Sequence, residues 1–427
     1  MKLERIEWDG AGAPGLARRL RRLVKRPPRL SREVAEALAK VRRGGDDAVR
    51  ELAEQFGDEP AESLRIDPEA IAAAPGLVDP EVREAIRVAA RNIDTLARAE
   101  LAATPGVVVD LEQGQRIEAR FDPVAAAGIY APGGRGAYPA SVLMCAVTAR
   151  AAGVARIAIA TPPGAGGSPS AVTLAACSLV GIDEVYAIGG AQAIGALAFG
   201  TGTIRPVDVI VGPGNPWVTE AKRQVAGLVG IDGLAGPSEL FIIADAMANP
   251  DWIALDLAAQ AEHGADSPLV LASPDVELLD AVGEAATKLG EERASVKDAP
   301  LALVTTPGIE LALTLADAYA PEHLELVFAG ADDNVARGRI AGCVFVGARG
   351  ATAFGDYALG SNHVLPTGGA ARFGGPLWVG SFRRRTSVVT ISRSAATALA
   401  PTVATLSRAE GFPVHGESAV ARSGENG

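Results

Sequence analysis

Near its start the chain places Leu16, Leu20, Leu23 and Val24 at helical spacing, with Arg18, Arg19, Arg21, Arg22, Lys25 and Arg26 on the remaining face. Pro27-Pro28 ends this basic arm. A helix is predicted from Ser31 as N-cap to Gly44-Gly45, a second over 46–56, and another helical pattern over 80–103. From about residue 122 the texture changes to short β-rich runs at 124–130, 155–161, 184–188 and 207–211, each followed by glycine. Ala-rich helical stretches at 139–152, 169–180 and 191–199 lie between them. The alternation resumes with a strand at Leu240–Ala244, then Asn249-Pro250 as cap and first residue of a helix reaching His263 and closed by Gly264. Strands at 268–272, 301–305, 324–328 and Cys343–Val346 follow, with helices near 274–290 and 307–319 between them. Strands and helices of these lengths in alternation predict βαβ units of parallel sheets. The Gly- and Pro-rich stretch 355–380 reads as a long loop, a length that is uncommon without a function. A helical tail is expected to about residue 411.

Length and composition sharpen this outline. At about 150 residues per domain, a chain of 427 holds two or three. A content of 48% hydrophobic and 21% charged residues is globular, and only 4% is aromatic. Such a core is filled by Val, Ile, Leu and Ala, as in parallel sheets covered by helices. The net charge of −11 argues against a nucleic-acid binder, so the basic arm reads as a helix docking on its own protein or a partner subunit. Cys145, Cys177 and Cys343 are far apart in apolar runs without a CxxC, which indicates neither a disulfide framework nor a thiolate zinc site. The start, Met1-Lys-Leu-Glu-Arg5, has no apolar signal region, and no uncharged apolar run of membrane-spanning length follows. A cytoplasmic protein without membrane partners is expected.

The candidate chemistry clusters around the four histidines, His263, His323, His363 and His415, all in the second half and all beside carboxylates or amides. Gln260 and His263, three apart on a predicted helix, have the spacing of two ligands to one metal, and equally that of a polar pair closing a helix end. Glu322-His323 suits a proton relay, yet neighbours on a strand face opposite sides, so a shared site requires a turn there. The loop with Asp356, Asn362 and His363 is either a surface turn or a site. Gly189-Gly190-Ala-Gln192 and Gly212-Pro-Gly214-Asn215 are turns after strands, able to bring backbone N–H groups to a ligand. No GxGxxG with an acidic partner and no Walker A sequence is present, so nucleotide binding is suggested and no more.

Taken together these segments resemble the histidinol dehydrogenase family. The resemblance is carried by residues 128–144, Ala187-Ile-Gly-Gly-Ala-Gln192, Val211-Gly-Pro-Gly-Asn215, Ala235-Gly-Pro-Ser238-Glu239 and Gln260-Ala-Glu-His263-Gly. Pro321-Glu-His323-Leu, Gly355-Asp356-Tyr357 through Asn362-His363-Val-Leu-Pro-Thr and Arg408-Ala-Glu410-Gly-Phe-Pro-Val-His415 complete it. They stand in family order from about residue 30 to 420.

The resemblance implies two incomplete Rossmann-like, aldehyde-dehydrogenase-like parallel-sheet domains with small helical N- and C-terminal appendages. It divides the chain into an arm at 1–30 that contacts a partner, a discontinuous α/β domain at 31–120 and 236–378, an NAD-binding domain at 121–235, and a tail at 379–427 swapped onto the partner subunit of a homodimer. The implied reaction is four-electron oxidation of L-histidinol through the aldehyde to L-histidine, the last step of histidine biosynthesis, with two NAD+ reduced. Gln260, His263, Asp356 and His415 would hold Zn2+. His323 would act as base and Glu322 would activate water. Ser238, His363 and Glu410 would join the metal ligands and His323 around substrate, and Tyr130, Gln192 and Asn215 would contact NAD. A same-fold zinc dehydrogenase for another polar alcohol and, from a different class, a zinc hydrolase are the alternatives. Val414 before His415 and the basic run Arg383-Arg384-Arg385 depart from the family pattern, and the run has no functional account.

Overall fold

The computed structural model of the chain describes residues 1–24, 30–57, 63–133, 136–164, 166–335 and 338–424. The strands in the first half are β1 (Lys2–Glu7), β2 (Val107–Asp110), β3 (Gln115–Pro123), β4 (Ala126–Tyr130), β5 (Arg156–Thr161), β6 (Val185–Ala187) and β7 (Val209–Val211). The rest are β8 (Gly230–Ile231), β9 (Leu240–Ala244), β10 (Leu269–Ser273), β11 (Pro300–Thr305), β12 (His323–Val327), β13 (Cys343–Val346) and β14 (Arg383–Ile391). A six-stranded sheet has the order β1-β11-β10-β9-β12-β13, and a five-stranded sheet the order β6-β5-β4-β7-β8. Both are parallel throughout. β14, β3 and β2 form a separate antiparallel sheet.

The central strands read Leu-Phe-Ile-Ile-Ala in β9 and Leu-Val-Leu-Ala-Ser in β10, and every residue is buried. Helices cover both faces, so the run is continuously apolar rather than alternating. The Asn249 side chain accepts from the backbone N–H of Asp251 and Trp252, which starts the helix Pro250–Ala261 as predicted. The predicted break at Gly44-Gly45 is present within Ser31–Gln55: Gly45 leaves the helical region at φ 55° and ψ −134° and divides the span into two helical stretches. Ser31 is the first helical residue and Leu30 holds the cap position.

Four features differ from the outline. The arm is built into the protein: Lys2–Glu7 is the edge strand beside β11, and the helix Ala13–Leu20 buries Ala13, Ala17 and Leu20 among Tyr319 and Leu313. Its lone buried strand residue, Ile6, is too little pattern to reveal a strand. Lys25, Arg26 and Pro27-Pro28 lie outside the described residues, as do Gly134 and Arg135. Second, the helices Ser31–Gln55 and Pro80–Ala103, expected with 236–378, pack on the five-stranded sheet. Val34, Leu38 and Val41 meet Ile194 and Leu197, and Ile86 and Ile93 join Val142 and Cys145.

Third, the tail is not wholly helical. β14 pairs along its length with β3. Arg383 stands 5.9 Å from the Phe121 ring and its guanidinium donates to the Phe121 carbonyl, while Arg384 and Arg385 are exposed. A hairpin of the helices Arg393–Ala409 and Pro413–Ala421 follows, and a Cβ on Gly416 would lie 2.9 Å from Ala404 Cα, so glycine permits the close crossing. Fourth, a six-residue helix, Thr352–Tyr357, places Asp356 within what reads as loop. Cys145 and Cys177 are buried free thiols and Cys343 is half-buried. Among the described residues no helix is long and apolar enough to cross a membrane.

Candidate active site

Leu240, Leu269, His323 and Cys343 are register partners and the first residues of their strands. The polar cluster therefore sits at the amino edge of the six-stranded sheet. Ala320, at φ 54°, is the one non-glycine with positive φ among the described residues. It ends the helix Ile309–Tyr319 in a left-handed turn and reverses the chain into Pro321-Glu322-His323. This is the turn that a shared Glu322–His323 site requires.

The backbone of Glu239, just before β9, serves both side chains. Its N–H donates to Glu322 Oε2 at 2.7 Å. Its carbonyl accepts from the His323 backbone N–H at 3.2 Å and lies 3.1 Å from His323 Nδ1. A carbonyl only accepts, so Nδ1 carries the proton and Nε2 keeps its lone pair. Burial holds the His323 imidazole below its ordinary pKa, which keeps it neutral and basic near pH 7. Burial pushes the Glu322 carboxyl up to about 8, against the hydrogen bonds from the Ser238 hydroxyl and the Glu239 N–H. The Ser238 bond is 2.5 Å long.

Gln260 is buried, and its Nε2 donates to Ser238 Oγ at 2.6 Å. Its Oε1 is buried with no protein partner. His263 lies just past the helix end, and its Nε2 is 3.8 Å from Asp356 Oδ2. The other Asp356 oxygen is 4.0 Å from His323 Nε2. Burial pushes Asp356 up, but the imidazoles of His263, His323 and His363 around it outweigh that and hold the carboxyl below its usual range. Asp356 in turn raises His263, against burial. An orphaned amide oxygen, a carboxylate and an imidazole are donor types that a catalytic zinc site uses. An unsatisfied buried amide oxygen costs about 1–3 kcal/mol, which a ligand would offset. Among the described residues no three His, Cys, Asp or Glu side chains are placed to hold one ion, so a metal in one chain would rest on His263, Asp356 and the Gln260 amide. Glu410 and His415 are exposed on the C-terminal hairpin, where His415 stands 5.6 Å from the Phe412 ring.

His363 links this cluster to the other sheet. Its Nδ1 lies 2.9 Å from the Asp356 carbonyl and its Nε2 lies 3.2 Å from Ser141 Oγ, in the helix that follows β4. The chain leaves β4 toward β5 on one side and later returns to β7 on the other, so the five-stranded sheet has its switch point between β4 and β7. Ligands of open α/β sheets lie outside the carboxyl ends of the strands at such a point. Tyr130 ends β4, and its hydroxyl accepts from Gly190 N–H at 3.3 Å. Gly212 follows β7 at φ 110°, and a Cβ there would lie 2.1 Å from the Tyr130 carbonyl oxygen. Gln192 is 1% exposed with Oε1 buried and unpartnered. Asn215 caps the helix Pro216–Val225 through Oδ1, which leaves its amide N–H groups for a ligand.

Sequence reasoning gave no role to Glu239, Arg21, Ser141 or Glu325. Arg21 donates to both Glu239 oxygens, at 2.8 and 3.1 Å, and its guanidinium lies 4.0 Å from the Tyr319 ring. Glu239 alone carried a signal, a carboxylate directly ahead of the apolar run of β9.

Two parallel sheets, with a switch-point crevice on one and a cluster of acid, base and amide side chains at the edge of the other, have the architecture of the aldehyde-dehydrogenase-like fold. An acetylating aldehyde dehydrogenase from Geobacillus thermoglucosidasius shares that fold at TM-score 0.50 and 14% identity, over 89% of this chain and 97% of that one. The histidinol dehydrogenase family pattern matches residues 20–423. A histidinol dehydrogenase from Rhodospirillum rubrum is 42% identical over 398 residues, 91% of each chain. A crystal structure of the histidinol dehydrogenase of Elizabethkingia anophelis superposes at TM-score 0.90 and 30% identity, covering 99% of this chain and 98% of that one. The chain belongs to the histidinol dehydrogenase family. That membership sets the hydrolase alternative aside.

Proposed function

We propose that this chain oxidises L-histidinol to L-histidine in two hydride transfers, each to one NAD+, with Zn2+ as its resident metal. The observation that carries the reading is Asp356, whose two oxygens face His263 and His323 while Ser238 joins Gln260 to Glu322. Metal donors and proton-transfer groups thus share one cluster. Gln260, His263 and Asp356 would hold the zinc, which supplies a Lewis acid for the imidazole and amino nitrogens of the substrate.

In the first step His323 Nε2 takes the hydroxyl proton as hydride leaves the carbon for nicotinamide, giving aldehyde and NADH. In the second, Glu322 takes a proton from water as it adds to the aldehyde carbon. His323 returns its proton to the oxyanion so formed, and the diol gives its hydride to a second NAD+ as His323 takes a hydroxyl proton again; the acid sheds its remaining proton to solvent and becomes the carboxylate. Ser238 and His363 orient the substrate. The switch-point crevice between Tyr130, Gln192 and Asn215 takes the cofactor, and the His363–Ser141 contact brings that crevice to the reacting carbon.

Glu410 and His415 serve the site from a second copy of the chain, by exchange of the C-terminal hairpin in a homodimer. The exposed apolar side chains Phe412 and Val414 beside them support that exchange. The functional division follows the sheets, the cofactor on residues 121–235 and the substrate on 236–378. The test is stoichiometry and metal content. Two NADH per histidinol and about one zinc per chain are expected, with activity lost on chelation. One NADH per turnover, or full activity after exhaustive chelation, overturns the reading. A panel of other polar alcohols separates histidinol from a related substrate.

A further inference from the structure

Glu325 is 1% exposed, a carboxyl inside an otherwise apolar strand. It stands two residues beyond His323 in β12, so both side chains leave the same face of the sheet. Its Oε1 accepts from the Thr352 backbone N–H at 2.8 Å and from the Thr352 hydroxyl at 2.5 Å. Thr352 is itself buried and is the first residue of the helix Thr352–Tyr357, which carries Asp356 one turn later. On the other side, Asp256 lies one turn before Gln260 on the helix Pro250–Ala261, and its charge acts on Glu325. Burial is the main force raising both carboxyls. Glu325 therefore holds the helix that bears Asp356, and nothing in the reaction uses it.

We infer that Glu325 is a positioning residue for the metal, which fixes Asp356 against Gln260 and His263 by holding the start of the helix Thr352–Tyr357. The inference rests on the zinc reading above. Partners of ligating carboxylates set ligand orientation, and their loss costs roughly 10- to 100-fold in metal affinity.

The test is Zn2+ affinity of the full-length protein by chelator competition, with NAD+ affinity measured in parallel at the distant switch point. Glu325→Ala should weaken zinc at least about tenfold, and Thr352→Val about threefold, each with NAD+ binding unchanged. Glu325→Gln, which keeps an acceptor for Thr352 and a donor toward Asp256, should stay within about threefold of the native chain. Native zinc affinity in Glu325→Ala overturns the inference. So does a parallel loss of NAD+ binding, which marks general destabilisation, or a loss in Glu325→Gln as large as in Glu325→Ala. If Glu325→Ala does not fold, Thr352→Val decides alone, and native zinc affinity there overturns the inference. A native chain that binds no zinc removes the metal reading itself, an outcome distinct from variants that bind as well as the native chain.

Discussion

Glu239 gives both backbone polar groups to the catalytic pair and its side chain to Arg21. Its orientation therefore sets the distance between acid and base. Replacing Arg21 by Ala leaves the Glu239 carboxylate buried without its counter-charge, with the Gly368 N–H still donating to it. A loss of about 3 kcal/mol is expected, the low end for a broken buried pair because Arg21 keeps part of its surface in water, and urea unfolding measures it. A second expectation concerns Glu322, raised from 4.5 to about 8 by burial. Stability from its neutral form is full below the unfolded value and lost as pH rises through about 8, so the Tm should fall over that window, and fall less in Glu322→Gln. Activity runs the other way, because only the ionised carboxyl takes a proton from water. With the aldehyde as substrate, kcat should climb through that same pH in the native chain. In Glu322→Gln it should be flat and lower by roughly 10²–10⁴. A native profile that is flat there removes Glu322 as the base. The chemistry of Glu322 and His323 was legible as a pair in the sequence, but their common face was not. It depends on the left-handed turn at Ala320, which no residue preference announces.

At the scale of elements, apolar strand runs were legible and polar or exposed strands were not. Leu240–Ala244 and Cys343–Val346 appear at their predicted limits because apolar runs bounded by turns leave few alternatives. β2, Val-Val-Val-Asp, is exposed along its length, and β14 pairs with a strand more than 250 residues earlier, which no local pattern encodes. The polar site stands at the amino edge of one sheet, where the rule for open α/β sheets does not look, while the cofactor crevice obeys that rule. That crevice depends on Gly212. Gly212→Ala meets the Tyr130 carbonyl and strains a backbone at φ 110°. It should raise the Kd for NAD+ at least about tenfold while zinc content stays native, as titration of each ligand would reveal. Unchanged NAD+ binding would detach the β4–β7 crevice from the cofactor.

For the whole molecule, the proposed exchange of the hairpin with Glu410 and His415 would make the site's completeness a matter of assembly. Glu322→Gln and His415→Asn should each be nearly inactive alone. If the hairpin is exchanged, co-refolding the two in equal amounts should restore about a quarter of native activity, since half the dimers are mixed and each mixed dimer has one intact site. No recovery would place His415 in the same chain's site or outside it. The edge strand β1 carries a different consequence, one of timing. It pairs with β11, so residues synthesised long before their partners close a sheet whose other strands begin at Leu240 and end at Val346. At roughly 5–20 residues per second, translation separates β1 from its partner by about 15 s to a minute. The five-stranded sheet emerges complete within that interval, and the N-terminal strand waits for the half of the protein made last to receive it.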